Sequence, residues 1–400
     1  MNILQAVIHF TEIVLFIYFA FAAVYIFLFS FFSVFKKPDR FRESTYLRKI
    51  AVLIPGYKED NVIVDVAMDA LNQDYPKNRF DVVIIADSFQ PTTIEALKKL
   101  PIKLVEVAFE QSTKSKALNK AMEVIGDEYD IAIVLDADNI MEQGFIHKIN
   151  NAFESGVKIV QGHRVAKNLN TSFAVLDAVS EELNNSIFRK GHRVLGFSSA
   201  LIGSGMAFDY AIFKKRMSEI HAIGGFDKEL ELTFLQDQYL IEYLNDAIVY
   251  DEKVQKVEVF EKQRKRWLSA QFVYFGRFFL PGLKDLILKG NIDFFDKVYQ
   301  MVTPPRILLL GITALSLTFY FVFNLMYPDS NLLIIPTSFW MYTMLLIVFA
   351  FITGIPLKFY NSNTLKAVFT LPKAFISMFL TLFKLKGANK KFIHTQHGSH

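Results

Sequence analysis

Two aspartates two residues apart, Asp136 and Asp138, follow the fully apolar run Ile131–Leu135. In extended backbone such residues point to one side, so both carboxylates can face a single ligand. Two hard oxygen donors side by side suit Mg²⁺ or Mn²⁺ shared with a diphosphate. A solvated acidic turn is the plain alternative. The apolar run in front of the pair favours the ligand site, because open α/β sheets bind ligands beyond their strand carboxyl ends. A second acid, Asp87, ends the apolar run Val82–Ala86 in the same way. Further on, the sequence Lys262-Gln263-Arg264-Lys265-Arg266-Trp267 sets an indole face suited to a sugar beside a guanidinium fork suited to phosphate oxygens. A basic run drawn only to lipid head groups would need neither the Gln nor the Trp. His163, His192 and His221 stand singly, without metal-ligand spacing, and read as surface or loop residues. There is no Gly-x-x-x-x-Gly-Lys loop, which argues against ATPase chemistry. With no cysteine, disulfides, thiol nucleophiles and thiolate metal sites are excluded.

The elements that must position these groups alternate in type. Short apolar runs at Ile50–Ile54, Val82–Ala86, Leu104–Ala108, Ile131–Leu135 and Lys158–Gln161 predict strands buried on both faces. Helical patterns such as Asn61–Gln73 and Lys114–Val124 separate them, the rhythm of an α/β domain with a parallel or mixed central sheet. A further apolar helical pattern is expected at Leu240–Leu244, with Asp237 near its start.

Of 400 residues, 52% are hydrophobic and 21% charged, against about 45–50% and about 25% in ordinary soluble domains. That shift is modest. It excludes a disordered chain and a purely polytopic transporter, and suggests a soluble domain joined to a few membrane segments. A net charge of +4 is too small for a nucleic-acid binder. Ile13–Phe35 carries no charge and is long enough to span a membrane. Glu12 and the lack of a basic start set it apart from a signal peptide, so it reads as a retained anchor. Lys36, Lys37, Arg40, Arg42, Arg48 and Lys49 follow it, which places the N-terminus outside and the next domain in the cytoplasm. Ile307–Tyr327 and Leu332–Leu357, separated by Pro328-Asp329-Ser330-Asn331, predict a helical hairpin with its tip outside. Ala367–Phe383 holds Pro372 and Lys373 and precedes Lys384, Lys386, Lys390 and Lys391. It reads as an interfacial or re-entrant helix that leaves the C-terminus cytoplasmic. Ala270–Leu288 reads as amphipathic and surface-bound. The expected organisation is an anchor at 1–35, a cytoplasmic domain at 36–268, an amphipathic segment at 269–303, the hairpin at 304–357, and an interfacial or re-entrant helix with a basic tail at 358–400.

In this order the features resemble the membrane-embedded family 2 glycosyltransferases, which include hyaluronan, chitin, cellulose and poly-N-acetylglucosamine synthases. The likeness covers nearly the whole chain and implies a GT-A-like nucleotide-sugar domain with a mixed central sheet, plus transmembrane and interfacial helices. Ile54-Pro55-Gly56-Tyr57-Lys58-Glu59 resembles the family's opening nucleotide-binding strand and turn, implicating Pro55, Tyr57 and Glu59. Asp87 matches the acid that holds the base or ribose of UDP. Lys114-Ser115-Lys116-Ala117-Leu118-Asn119 resembles the Lys-x-x-Ala-Leu-Asn element, with Lys114 toward the nucleotide. Asp136-Ala137-Asp138 matches the metal-binding Asp-x-Asp, which implies Asp136 at the nucleotide sugar and Asp138 on Mg²⁺ or Mn²⁺. Gly203-Ser204-Gly205 looks like the loop near the acceptor. Gln263-Arg264-Lys265-Arg266-Trp267 fits Gln-x-x-Arg-Trp, with Arg266 toward the diphosphate and Gln263 and Trp267 toward the acceptor. Leu235-Gln236-Asp237 falls where the family has Glu-Asp, which implies Asp237 as the general base; Gln236 departs from the pattern, as do Gly56 and Lys58. The resemblance implies inverting transfer from a UDP-sugar to a growing β-linked polysaccharide at the inner membrane. The alternative is a single transfer to a lipid, since ceramide glucosyltransferase looks similar. A solute transporter would carry ionisable residues within its spans, and these spans have none.

Overall fold

The expected apolar runs become strands of one sheet, with Leu104–Ala108 at its edge, in a computed structural model that describes residues 3–36, 41–220, 222, 224–255 and 257–384. Lys37, Arg40, His221, Lys386, Lys390 and Lys391 lie outside the described residues. The chain begins with α1 (Ile3–Ser33), β1 (Ile50–Tyr57), α2 (Ile63–Leu71), β2 (Phe80–Asp87) and α3 (Pro91–Lys98). Next come β3 (Lys103–Val107), α4 (Lys114–Ile125), β4 (Ile131–Val134), β5 (Ile140–Met141), α5 (Phe145–Glu154) and β6 (Ile159–Ala166). α6 (Ser172–Asn185) continues through a π-helical stretch, Ser186–Gly191, into the single turn α7 (His192–Val194). β7 (Met206–Asp209), α8 (Tyr210–Ser218), α9 (Phe226–Gln236) and β8 (Ile241–Asp251) follow. Six helices then complete the described chain: α10 (Val257–Lys289), α11 (Ile292–Gln300), α12 (Arg306–Met326), α13 (Thr337–Gly354), α14 (Ser362–Val368) and α15 (Leu371–Leu382).

The sheet order is β3-β2-β1-β4-β7-β6-β8-β5. β1 pairs in parallel with β2 and β4, and β2 with β3, whereas β7 runs antiparallel between β4 and β6. Alternate side chains enter opposite layers: Ala51 and Leu53 join the layer under α4, α8 and α9, while Ile50, Val52 and Ile54 join the layer under α2 and α5. That two-sided burial is why the strands are uninterrupted apolar runs. Leu240–Leu244 differs from expectation. It is the start of β8, paired in parallel with Ile159–Gly162 of β6. Five residues, four of them apolar, are too few to fix a period, and an open place beside β6 decides the conformation.

α10 turns Ala270, Tyr274 and Phe278 into the domain core while Phe272, Val273 and Leu280 stay exposed. It is amphipathic, as expected, and its inner face belongs to the soluble domain. α1, α12 and α13 are long and apolar enough to cross a membrane, and the α14–α15 pair, bent by 46°, makes up to four if counted as one span. The bend falls where Pro372, in the first turn of α15, cannot continue the preceding helix. α13 starts at Thr337 and not at Leu332, because the Ile334 and Ile335 N–H groups donate to the Glu12 carboxylate, at 3.0 and 2.7 Å, instead of to a helix. Glu12 also accepts from the Tyr320 hydroxyl at 2.7 Å, so one acid ties all three long apolar helices together. Between them pack Phe19, Ala22, Ala23, Ile26, Leu309, Tyr320, Trp340, Ile347 and Ala350.

The absence of cysteine makes the orientation directly testable. A lone cysteine in Ser330→Cys is expected to react with an impermeant maleimide on intact cells, and one in Asn363→Cys only after permeabilisation. Labelling of Asn363→Cys on intact cells would place α14 outside.

Candidate functional site

The parallel strands β1, β2 and β4 deliver three turns to one edge of the sheet. Tyr57 ends β1 directly opposite Asp87 at the end of β2. The chain leaves both strands through left-handed residues, Lys58 at φ 55° and Ser88 at φ 60°. Such a conformation is uncommon outside glycine, and paired here it marks a functional edge. The Lys58 N–H donates to the Asp87 carbonyl at 3.1 Å, and the buried Asp87 carboxylate accepts from the Ser88 hydroxyl at 2.9 Å. Gly56 is required by space: a Cβ would lie 2.6 Å from the Phe89 ring and 3.7 Å from Ala137. The turns after β1, β2 and β4 are therefore in contact, which brings Pro55, Tyr57, the buried Glu59 and Asp87 beside Asp136-Ala137-Asp138.

Asp136 and Asp138 sit in a tight turn and not in extended backbone: the Asn139 N–H donates to the Asp136 carbonyl at 3.2 Å, and the Asp136 N–H to Asn139 Oδ1 at 3.2 Å. Asp138 is buried and accepts from the Glu252 N–H at 3.0 Å, which fastens the turn to the end of β8. Asp136 is the more open of the two. Lys114, the first residue of α4 after its Thr113 cap, donates to Asp136 Oδ1 at 2.5 Å and to the Gly203 carbonyl at 2.8 Å. Among the described residues no three His, Cys, Asp or Glu side chains gather as a metal cage. The donor set still fits a hard divalent cation, because two carboxylates at one turn leave coordination positions for diphosphate oxygens and water.

Gly203 and Gly205 need glycine, with φ of 85° and 63°. Between them the buried Ser204 is strapped to β6, its carbonyl accepting from Gln161 Nε2 at 3.0 Å. A Cβ on Gly203 would meet the Asp227 carboxyl at 3.8 Å. Asp227 stands in the first turn of α9, after a left-handed Gly225 cap, and is the acid that the sequence reading missed. Burial pushes its carboxyl above the usual carboxylate value; Lys228 and Lys114 oppose the rise and Glu231 adds to it. Arg266 on α10 lies in the field of both Asp227 and Asp136. Gln263 Oε1 is buried without a hydrogen-bond partner among the described residues. Trp267 is 38% exposed, with the Arg264 guanidinium 4.8 Å from its ring centre.

Asp237 does not join this group. It caps the opposite end of α9, about 15 Å along the helix from Asp227, where it is exposed and paired with Arg216. The acid expected as the base thus stands apart from the other candidate side chains, and Asp227 is the acid that α9 places beside them. A helix presents only one end to a site, and the Gly224-Gly225 turn puts the N-terminal end there. That double glycine two residues before an acid was the available signal. His163 and His192 are also corrected: both are buried, His163 against Glu182 at 3.1 Å and His192 stacked on Phe29 at 3.7 Å.

Comparison with known proteins agrees with this geometry. Residues 48–270 match the family described as "Glycosyltransferase like family 2". The chain is 26% identical over 277 residues to a probable glycosyltransferase, YdaM, of Bacillus subtilis, covering 64% of this chain and 62% of that protein. It is 25% identical over 275 residues to a beta-monoglucosyldiacylglycerol synthase of Trichormus variabilis, covering 65% of this chain and 56% of that protein. The matched part thus spans about three-fifths of each relative's length. Among solved structures, the mannosyltransferase PcManGT from Pyrobaculum calidifontis, in complex with GDP-Man and Mn²⁺, aligns with a TM-score of 0.52 at 14% identity, covering 88% of this chain and 99% of that one. The likeness shows the fold: GT-A-like α/β with a mixed central sheet.

Proposed function

The chain belongs to the glycosyltransferase-like family 2, and from that premise we propose that it moves one hexose from a UDP-sugar to a lipid acceptor at the membrane surface, with inversion. Tyr57 and Asp87 hold the nucleoside, with Pro55 and Glu59 shaping the turn. Lys114, Asp136 and Arg266 take the diphosphate. Asp138, with Asp136, would hold Mg²⁺ or Mn²⁺, which supplies charge neutralisation at the diphosphate when bound. Gly203-Ser204-Gly205 and Gln263 bound the acceptor pocket, where the unpartnered Gln263 Oε1 suits a hydroxyl. Trp267 offers its face to the incoming sugar or head group.

Asp227 takes the proton of the acceptor hydroxyl as its oxygen attacks the anomeric carbon. The bond from that carbon to the diphosphate oxygen breaks on the opposite face, so an α-linked donor gives a β-glycoside. Lys114 and Arg266 meet the charge that grows on the leaving diphosphate. Under this reading residues 1–35 anchor the chain, 36–268 carry the chemistry, and 269–303, 304–357 and 358–400 hold it at the cytoplasmic face of the membrane.

The single observation that carries the acceptor reading is the packed interior of α1, α12 and α13. A polysaccharide extended through the membrane needs a polar path, and aromatic and aliphatic side chains fill the space between these helices. The buried Ser30 and Thr343 hydroxyls are spent on the Ala350 and Phe339 carbonyls. Of the two products expected from the sequence, this supports the glycolipid over the polymer, in keeping with a relative named as a glucosyldiacylglycerol synthase.

Four outcomes are expected of the purified protein in lipid. With a radiolabelled UDP-hexose and diacylglycerol, the product extracts into chloroform carrying one sugar; a large water-soluble β-glucan-type polymer would overturn the lipid reading. Asp227→Asn lowers transfer by about 10²–10⁴-fold while UDP affinity is kept, and Asp237→Asn stays close to the parent. Because burial raises the Asp227 pKa, kcat/KM rises with pH through a limb above the ordinary carboxylate value of about 3.9. Chelation of divalent metal, or Asp138→Asn, abolishes turnover that added Mn²⁺ restores only to the chelated parent; full activity under chelation would remove the metal from the scheme.

A further inference from the structure

Helix α11 is only nine residues long, yet its polar side chains are spent on three separate elements. Asp293 Oδ1 accepts from the Ser198 N–H at 2.8 Å, at the entry to the segment that leads to Gly203. Asp296 accepts from the Tyr25 hydroxyl of α1 at 2.7 Å and lies 3.1 Å from His192 Nε2. Lys297, fully buried, stands 3.8 Å from Glu231 of α9, which is itself fully buried. Positions 293, 296 and 297 are spaced i, i+3 and i+4, so one stripe of α11 makes all three contacts.

Glu231 lies one helical turn after Asp227, on the same face of α9. Its other oxygen is 2.9 Å from Lys228, and Lys228 also donates to the Leu201 carbonyl at 2.9 Å. The base helix is therefore hydrogen-bonded to the acceptor loop through Lys228 and faces α11 across the Glu231–Lys297 pair, whose Oε1 and Nζ have no hydrogen-bond partner among the described residues. α11 is in turn fastened to α1 through Asp296 and Tyr25. α1 also lies against the π-helical stretch, where a Cβ on Gly191 would fall 1.9 Å from the Phe29 carbonyl. We infer that Glu231 and Lys297 are positioning residues for the transfer: a buried ion pair through which α11 sets the place of Asp227 against the acceptor loop and the membrane anchor.

A purely structural pair would only hold two helices together. Two apolar or neutral side chains of similar volume can do that as well, because a buried ion pair loses hydration on both sides. A positioning pair also shapes the surroundings of Asp227, and that difference is measurable. The charged and titratable groups around Asp227 are Lys228 and Glu231 on its own helix, Lys114 on α4, and Arg266 and Tyr274 on α10. Around Glu231 they are Lys228, Lys297 and Arg189. Glu229, also on this helix, is spent on Tyr274 and Arg277. Glu231 is the anion one turn from Asp227 on the same face, and Lys297, which a double variant of the pair also removes, is not among the groups that face Asp227.

The inference rests on Asp227 as the base, so the experiment reads Asp227 itself as well as turnover. Glu231→Gln, Lys297→Met and the double variant are compared in the full-length protein in lipid. The carboxyl of Asp227 is titrated by infrared difference against Asp227→Asn in each background, alongside thermal stability and the kcat and donor KM for UDP release. The double variant is expected to melt close to the parent and keep donor KM within about twofold. Its Asp227 titration moves to lower pH, and its kcat falls at least about tenfold. Parental kcat with an unmoved Asp227 titration in the double variant would overturn the inference, whatever the single variants do to stability. If the titration moves while neither parent nor variant releases UDP, the positioning holds and the transferase reading fails.

Discussion

The Lys114 ammonium is the point on which the site depends. It donates to the Asp136 carboxylate and to the Gly203 carbonyl at once, and it lies 5.6 Å from the centre of the Phe226 ring that opens α9. Three segments far apart in sequence, the acidic turn, the glycine loop and α9, therefore share one cation. A single flexible side chain can do this only because α4 is itself fixed: Thr113 caps its first turn by accepting from the Lys116 N–H, and Leu118, Ala121 and Met122 bury its inner face. Under the proposed function, charge that develops on a leaving diphosphate would meet a group already oriented.

A second constraint joins the three long apolar helices to the sheet domain. The C-terminal end of α1 lies against Gly191, and the end of α13 against α1 and α6, where a Cβ on Gly354 would be 2.6 Å from the Ser30 hydroxyl. The Ser186 hydroxyl donates to the Gly354 carbonyl at 2.6 Å across the same joint. At both glycines a side chain would have no room, so helices and domain meet at their closest approach. α14 lies along α6 and α15 along α10 and α12.

Much of this was legible in the sequence, for reasons that are local. A strand buried on both faces has to be an uninterrupted apolar run, so β1, β2 and β4 declare themselves, while the edge strand β3 and the polar-rich β6 show only in part. A helix long and apolar enough to cross a membrane sheds its charges, so α1, α12 and α13 declare themselves too. Asp136 and Asp138 are conspicuous because acids at the end of such a strand have no packing role. The glycines at 56, 203 and 205 mark places where backbone approaches backbone or turns left-handed.

What the tertiary structure alone decided is which end of an element faces the site and what a short segment pairs with. Leu240–Leu244 carries no period long enough to choose between helix and strand, and becomes β8 because β6 offers it a parallel edge. Asp227 and Asp237 are both acids at the ends of one helix, chemically equal in the sequence. Only the Gly225 turn and the packing of α9 on α10 and α11 direct the first into the site and leave the second with Arg216 in solvent. His192 looks like any isolated histidine until α1 folds back and lays Phe29 on its ring. Strand and helix propensities depend on neighbours along the chain, whereas the place of Asp227, the buried pair Glu231–Lys297 and the joint of α1 with the domain depend on groups that meet only after the sheet has closed, and no local pattern encodes a distance between them.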